Sequence, residues 1–261
     1  MSAQPAAAPV ILAVQEVSKV FGGLRAVDSV SFDVKEGQVF TMIGPNGAGK
    51  TTLFNILTGV YRPSSGNILF QGSPIGGTPP HKVTQLGIAR TFQNIRLFGY
   101  LPAVENVMVG RHTRMHAKLW DSMFKTPLAR REEGSTRRRA MELMEFVGVA
   151  RYAEDLARNL PYGDQRRLEI ARALASDPKL LLLDEPAAGL NPAEKTDLGK
   201  LIHQIRDLGI TVFLIEHDMK VVMGISDEIV VLDHGAKISE GAPAVVRADR
   251  QVIEAYLGKG A

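Results

Sequence analysis

Two hydrophobic periods alternate along this chain. Short runs of consecutive or alternating apolar residues read as strands, and longer stretches with apolar residues three and four apart read as amphipathic helices. Strands are predicted over Val10–Val17, Val30–Val34, Gln38–Ile43, Asn67–Phe70, Ile88–Phe92, Leu180–Leu183, Thr211–Ile215 and Glu228–Leu232. Leu180–Leu183 is apolar at every position, as in a parallel strand covered on both faces. Helices are predicted over Thr52–Thr58, closed by Gly59, and over His81–Leu86, Val104–Met115, Arg137–Val147, Pro192–Asp207 and Pro243–Leu257. Pro192 stands at the first helical position, where its missing N–H costs nothing. Strand alternating with helix implies right-handed parallel crossovers and an α/β core. From Asn94 to about Asn159 the strand signals vanish, which predicts a helical insertion within that frame.

Composition narrows the class. The 261 residues suffice for one large domain, and the apolar (45%) and charged (23%) fractions are those of a soluble globular protein. No apolar run is long enough to cross a bilayer. Met1–Pro9 is Ala/Pro-rich without the features of a secretory signal and is expected to be a frayed tail. With no cysteine, disulfides and thiolate metal sites are excluded. The net charge of +3 is concentrated partly in Arg130–Arg139. That run is compatible with a solvated helix face or with attraction to an anionic membrane surface. Because no aromatic residues interleave its arginines, nucleic acid is not expected as a partner.

The candidate chemistry gathers around Gly44-Pro-Asn46-Gly47-Ala48-Gly49-Lys50-Thr51, with Thr52 directly behind. A buried strand, a glycine loop and a helix in that order form a phosphate-binding loop. Its backbone N–H groups can turn inward onto phosphate oxygens, and the helix N-terminus adds positive potential. Lys50 is placed to reach the β- and γ-phosphates of a nucleoside triphosphate and Thr51 to hold Mg²⁺. Asp184-Glu185 follows the Leu180–Leu183 run, at the strand end where ligands collect in such sheets. One carboxylate there can hold Mg²⁺, and the other can orient and deprotonate a water. His217 lies two residues beyond the Thr211–Ile215 strand and is placed to contact the γ-phosphate or the attacking water. Gln93, at the join with the helical insertion, can ligate Mg²⁺ and report nucleotide state to that insertion. Phe21 lies in a turn between strands, a position open equally to a core aromatic and to a ring stacked on adenine. Leu97, Phe98, Tyr100 and Leu101 form either insertion core or an apolar patch for a partner. His112 and His116 have a metal-ligand spacing but no evident carboxylate partner.

Taken in order, Gly44–Thr51, Gln93, Leu160–Gln165, Leu180–Glu185, Ala188–Asn191 and His217 resemble the motifs of ATP-binding-cassette (ABC) ATPases. The resemblance covers nearly the whole chain. It implies a P-loop NTPase cassette with a mostly parallel sheet core, an antiparallel β subdomain and a helical insertion at about residues 94–176, in a single domain over 10–258. It makes Phe21 the adenine-stacking aromatic, Gln93 the Q-loop glutamine, Glu185 the catalytic base and His217 the switch histidine. Leu160, Pro161, Tyr162, Gly163 and Asp164 become the signature that meets the ATP of a second subunit, with Ala188–Asn191 as the D-loop. Against the common Leu-Ser-Gly-Gly-Gln signature, Pro161, Tyr162 and Asp164 are substitutions, and the D-loop ends in Asn191 in place of Asp.

The tyrosine-containing signature, Ile215–Met219 and Val252–Gly258 look like the branch that powers branched-chain amino-acid uptake; amide and urea importers share much of it. The cofactors implied are ATP and Mg²⁺. The implied partners are a second ATPase subunit, transmembrane permease subunits and, indirectly, a periplasmic or extracellular solute-binding protein, with the chain peripheral on the cytoplasmic face of the membrane. DNA-repair cassettes need a far longer insertion, and translation factors resemble two cassettes in one chain.

Overall fold

The fully apolar strands form the centre of the molecule. In a computed structural model, residues 8–114 and 127–257 are described, with only the backbone for 127–130 and 257. Residues 1–7, Met115, His116 and Gly258 lie outside the described residues. Strands β1 (Val10–Phe21), β2 (Leu24–Lys35), β3 (Val39–Ile43), β4 (Ser65–Phe70), β5 (Ser73–Pro74), β6 (Ile88–Arg90), β7 (Leu180–Asp184), β8 (Thr211–Ile215), β9 (Glu228–Asp233) and β10 (Ala236–Gly241) divide between two sheets. The larger has the order β10-β9-β3-β8-β7-β6 and is parallel from β9 to β6. Its central strands β3, β7 and β8 are buried at every residue, as continuous apolar runs covered on both faces require. The smaller, β2-β1-β4-β5, is antiparallel.

The helices are α1 (Lys50–Leu57), α2 (Pro80–Leu86), α3 (Ala103–Gly110), α4 (Pro127–Phe146), α5 (Tyr162–Leu174), α6 (Pro192–Asp207), α7 (Met219–Ile225), α8 (Pro243–Ala248) and α9 (Arg250–Leu257). Helices α3 and α4 lie in the region where strand signals were lacking and pack with α5. Leu143, Met144 and Val147 fall on the buried side there, together with Val104, Val107 and Leu168. The opposite side of the large sheet packs against the antiparallel sheet and α1, through a ring cluster of Phe32, Phe40, Phe54 and Phe213.

Several boundaries differ from those predicted. The strand expected over Ile88–Phe92 stops at Arg90. Thr91 N still reaches Leu182 O, but the Phe92 carbonyl is taken by Arg166. The helix expected to Met115 ends at Gly110 and is followed by a 3₁₀ turn, His112–Arg114. The terminal helix is two helices, because the Asp249 side chain accepts from Gln251 N and caps a new start.

Candidate active site

The phosphate-binding loop is wedged between strand ends. A Cβ at Gly44 would lie 2.1 Å from Leu232 O, so only glycine lets the chain leave β3 so close to β9. Gly49 is the left-handed N-cap of α1 and has no side chain to cap it, so the first-turn N–H groups stay available to an anion. Asn46 and Gly47 are exposed on the rim, and Ala48 is buried beneath, its carbonyl accepting from Gly235 N. Lys50 is buried and donates to Gly44 O at 2.6 Å and Pro45 O at 2.9 Å. Burial lowers its pKa, with Glu185 and Asp184 opposing. Those two carboxylates therefore lie within electrostatic reach of the lysine. Thr51 is exposed and Thr52 half-buried on the same first turn.

Asp184 ends β7 fully enclosed. Its Oδ2 accepts from Arg90 at 2.7 Å, whereas Oδ1 is buried with no partner. An orphaned carboxylate oxygen beside a phosphate loop fits an Mg²⁺ held with the Thr51 hydroxyl and nucleotide oxygens. Among the described residues no group of three or more acidic or His side chains that could hold a metal ion is found. Glu185, next along, adopts a left-handed φ of 47°, a strained conformation that turns its side chain away from the strand register. Gln93 Nε2 donates to its Oε2 at 2.9 Å, and His217 Nδ1 is 3.6 Å from the same oxygen. The structure thus joins Gln93 to Glu185, rather than to Thr51 or Asp184.

Glu216 carries no signal that the sequence reading picked out, yet it is completely buried between these parts. Its Oε1 accepts from Ala187 N at 2.7 Å and its Oε2 from His217 N at 3.1 Å. It therefore fixes the segment after Glu185 to the one bearing His217. Burial pushes its pKa up, with the Ala187 and His217 amides opposing.

Phe21 is not a core aromatic. It is 40% exposed at the end of the β1–β2 hairpin, edge-to-face with Tyr61 at 5.2 Å. The same hairpin abuts the phosphate loop, because a Cβ at Gly49 would meet Ala26 O at 2.4 Å. At the start of α5, Leu160 is buried and Pro161 forms the N-cap without a capping side chain. The amides of Tyr162, Gly163 and Asp164 are thereby left for an anion. The negative charge of Asp164 is partly answered by Arg151 at 3.4 Å. Asn191 closes the following loop as the N-cap of α6, in a reciprocal capping box with Glu194.

The apolar group after Gln93 divides in two. Leu97 packs on the helical core, while Phe98 and Tyr100 are exposed. Asn106, fully buried and also overlooked in the sequence, holds their loop through Phe98 N and the carbonyls of Phe98 and Pro102.

Comparison with known proteins identifies the family. The family model described as "ABC transporter" matches residues 27–188, and "Branched-chain amino acid ATP-binding cassette transporter" matches 236–261. The chain is 50% identical over 250 residues to the high-affinity branched-chain amino acid transport ATP-binding protein BraF of Pseudomonas aeruginosa, covering 95% of this chain and 98% of that protein. It is 44% identical over 250 residues to LivG of Escherichia coli K12, with the same coverage. Among solved structures, the ADP conformation of MJ1267, an ATP-binding cassette of an ABC transporter, superposes with a TM-score of 0.84 at 31% identity, over 96% of this chain and all of that one. With the ABC model spanning more than half of its length and relatives matching nearly all of it, this chain belongs to the ABC transporter ATP-binding cassette family.

Proposed function

We propose that this chain is the ATP-hydrolysing subunit of an ABC importer for branched-chain or closely related amino acids, working from the cytoplasmic face of the membrane through a separate permease. Among the described residues no helix is long and apolar enough to cross a bilayer, and this reading gives the permeation path to other subunits. The names of the relatives support the solute class. The exposed Phe98 and Tyr100 are the surface assigned to the permease, which a solute-binding protein loads from the far side.

The convergence of Gln93 and His217 on one oxygen of Glu185 carries the chemical reading. The loop amides from Gly44 to Lys50 hold the phosphates, and Phe21 stacks on adenine. Thr51 and Asp184 would hold Mg²⁺, which when bound neutralises charge on the phosphates, and Gln93 stays with Glu185. Glu185 orients a water and takes its proton, while His217 keeps the carboxylate and the water in line. Leu160 to Asp164 at the start of α5 close on the ATP of a second ATPase subunit, through backbone N–H groups and the helix dipole.

Uptake of radiolabelled leucine in cells lacking the gene tests this reading. The wild-type chain should restore uptake, and Glu185→Gln should assemble at the membrane without restoring it. Recovery with Glu185→Gln would remove the base assignment. Chain-dependent uptake of amides or urea, with none of leucine, would overturn the solute class.

A further inference from the structure

Helix α5 carries a buried guanidinium that the hydrolytic chemistry does not use. Arg166 donates through Nη1 to Phe92 O at 2.9 Å, and through Nη2 to Gln93 O at 2.5 Å and Tyr162 Oη at 2.8 Å. The Tyr162 ring in turn packs on the loop after Glu185, since a Cβ at Gly189 would lie 2.9 Å from it. One pair of side chains therefore touches the signature segment, the D-loop and the backbone of Gln93. Close by on α5, the buried Glu169 accepts from Arg96 N at 3.2 Å and Arg172 at 3.4 Å, and Arg172 also donates to Arg96 O. The segment from Phe92 to Arg96 is thus held to α5 by its main chain.

Arg166 and Glu169 form a buried ion pair that leaves hydrogen-bonding atoms unused. Arg166 Nε and Glu169 Oε2 are both buried without a hydrogen-bond partner. Arg166 Nη1 stands 3.8 Å from that same Glu169 oxygen, beyond hydrogen-bond range. A buried orphan donor and a buried orphan acceptor of opposite charge, less than one helical turn apart, leave room for a second pairing. Rotating the guanidinium onto Glu169 would satisfy both atoms and give up Gln93 and Tyr162. Two discrete seats for one buried side chain are what a switching element requires.

We infer that Arg166 is a positioning residue with two seats. On Tyr162 and Gln93 it holds the Gln93 side chain against Glu185; on Glu169 it releases it. Contact of a second subunit's nucleotide with the first turn of α5 moves Tyr162 and selects the seat, so engagement in trans sets this chain's own hydrolytic site. The inference rests on the roles given above to Gln93 and Glu185.

The test uses the intact chain with Tyr162→Phe, which removes only a hydroxyl, and Arg166→Lys, which keeps the charge but loses the fork. Turnover is measured against ATP concentration, beside thermal melting. Hydrogen exchange of the 92–96 amides is followed with and without MgATP. Both variants should lower kcat about 5-fold or more and flatten the ATP dependence towards a hyperbola, at little change in Tm. In a Gln93→Ala background neither should cost anything further, because the link is already cut. MgATP should change exchange at 92–96 in the wild type and not in Tyr162→Phe. Additive losses with Gln93→Ala, or losses that follow Tm with the cooperativity intact, would reduce Arg166 to a structural brace and overturn the inference. Wild-type turnover in Glu185→Gln would instead strike at the base assignment, leaving the exchange result to decide the switch.

Discussion

Oε2 of Glu185 accepts a hydrogen bond from Gln93 Nε2 at 2.9 Å, across 92 residues of sequence. The two residues lie beyond neighbouring strand ends, one after β6 and one after β7, so the parallel pairing of those strands brings them together. A carboxylate at a left-handed φ needs something to fix its side chain, and this bond supplies it. Gln93→Ala should leave ATP binding near the wild-type value and lower kcat by up to about 100-fold, the cost of losing about 1 Å of alignment. Glu185→Gln should cost about 10²–10⁴ in kcat. Steady-state hydrolysis and nucleotide titration of the two variants check this ordering.

Arg90 holds Asp184 from the neighbouring strand. Both side chains are almost sealed from solvent, at 7% and 3% exposed, with the ion pair at 2.7 Å. The guanidinium also donates to Asn55 on α1 and lies over the rings of Phe54 and Phe92. Arg90→Met would strand a buried carboxylate beside the nucleotide site. Unfolding in urea should show a loss of about 3–5 kcal/mol. Arg90→Met combined with Asp184→Asn should recover part of that loss, because the uncompensated charge is gone.

What the sequence made readable was periodicity and spacing. The phosphate loop, Asp184, Glu185 and His217 sit at the ends of fully apolar strands, where position follows directly from the pattern. Arg90, Arg166, Glu169 and Glu216 were illegible because a charged side chain reads as surface until its partner is known. Their burial depends on partners 73 to 94 residues away for the arginines, which no local window contains. The first half of β2 escaped notice for a different reason. Glu16 and Ser29 both have positive φ, and the β1–β2 register shifts around them, so the alternation breaks where the strands continue. β10 was missed because it is an edge strand with no fully buried residue and no apolar face to betray it.

Asp218 couples stability to pH just behind His217. It accepts from Lys195 at 2.7 Å and caps α7 through Lys220 N and Val221 N. The Lys195 ammonium, and then the capping amides, hold its pKa below the ordinary 3.8. A carboxyl with a lowered folded pKa contributes stability that is complete above its ordinary value and fades as pH falls through the folded one. Asp218→Asn should therefore be less stable than wild type at neutral pH. The gap in urea midpoint should close as the pH drops beneath 3.8. A gap that stayed constant over that range would show the cap, and not the charge, to be responsible.

The C-terminal helix α9 reaches the phosphate loop from behind. Val252 is buried with Ile43, the residue before Gly44, and with Val246 and Val231. Tyr256 lies one turn further along the same face. Burial raises the pKa of its hydroxyl, and the Gly44 backbone beside it opposes the shift. The first glycine of the loop thus has the Leu232 carbonyl on one side, which leaves no room for a side chain, and the Tyr256 phenol near its backbone. Tyr256→Phe would remove the polar group beside the Gly44 backbone, at a cost of about 0.5–1.5 kcal/mol. Because the strain falls on the entrance to the loop and not on Glu185, the expected signature is a raised KM for ATP with kcat nearly unchanged. Titration with a non-hydrolysable ATP analogue separates the cases. Weaker binding in Tyr256→Phe at wild-type Tm supports a brace on the loop, whereas unchanged affinity with a lower Tm would confine α9 to packing.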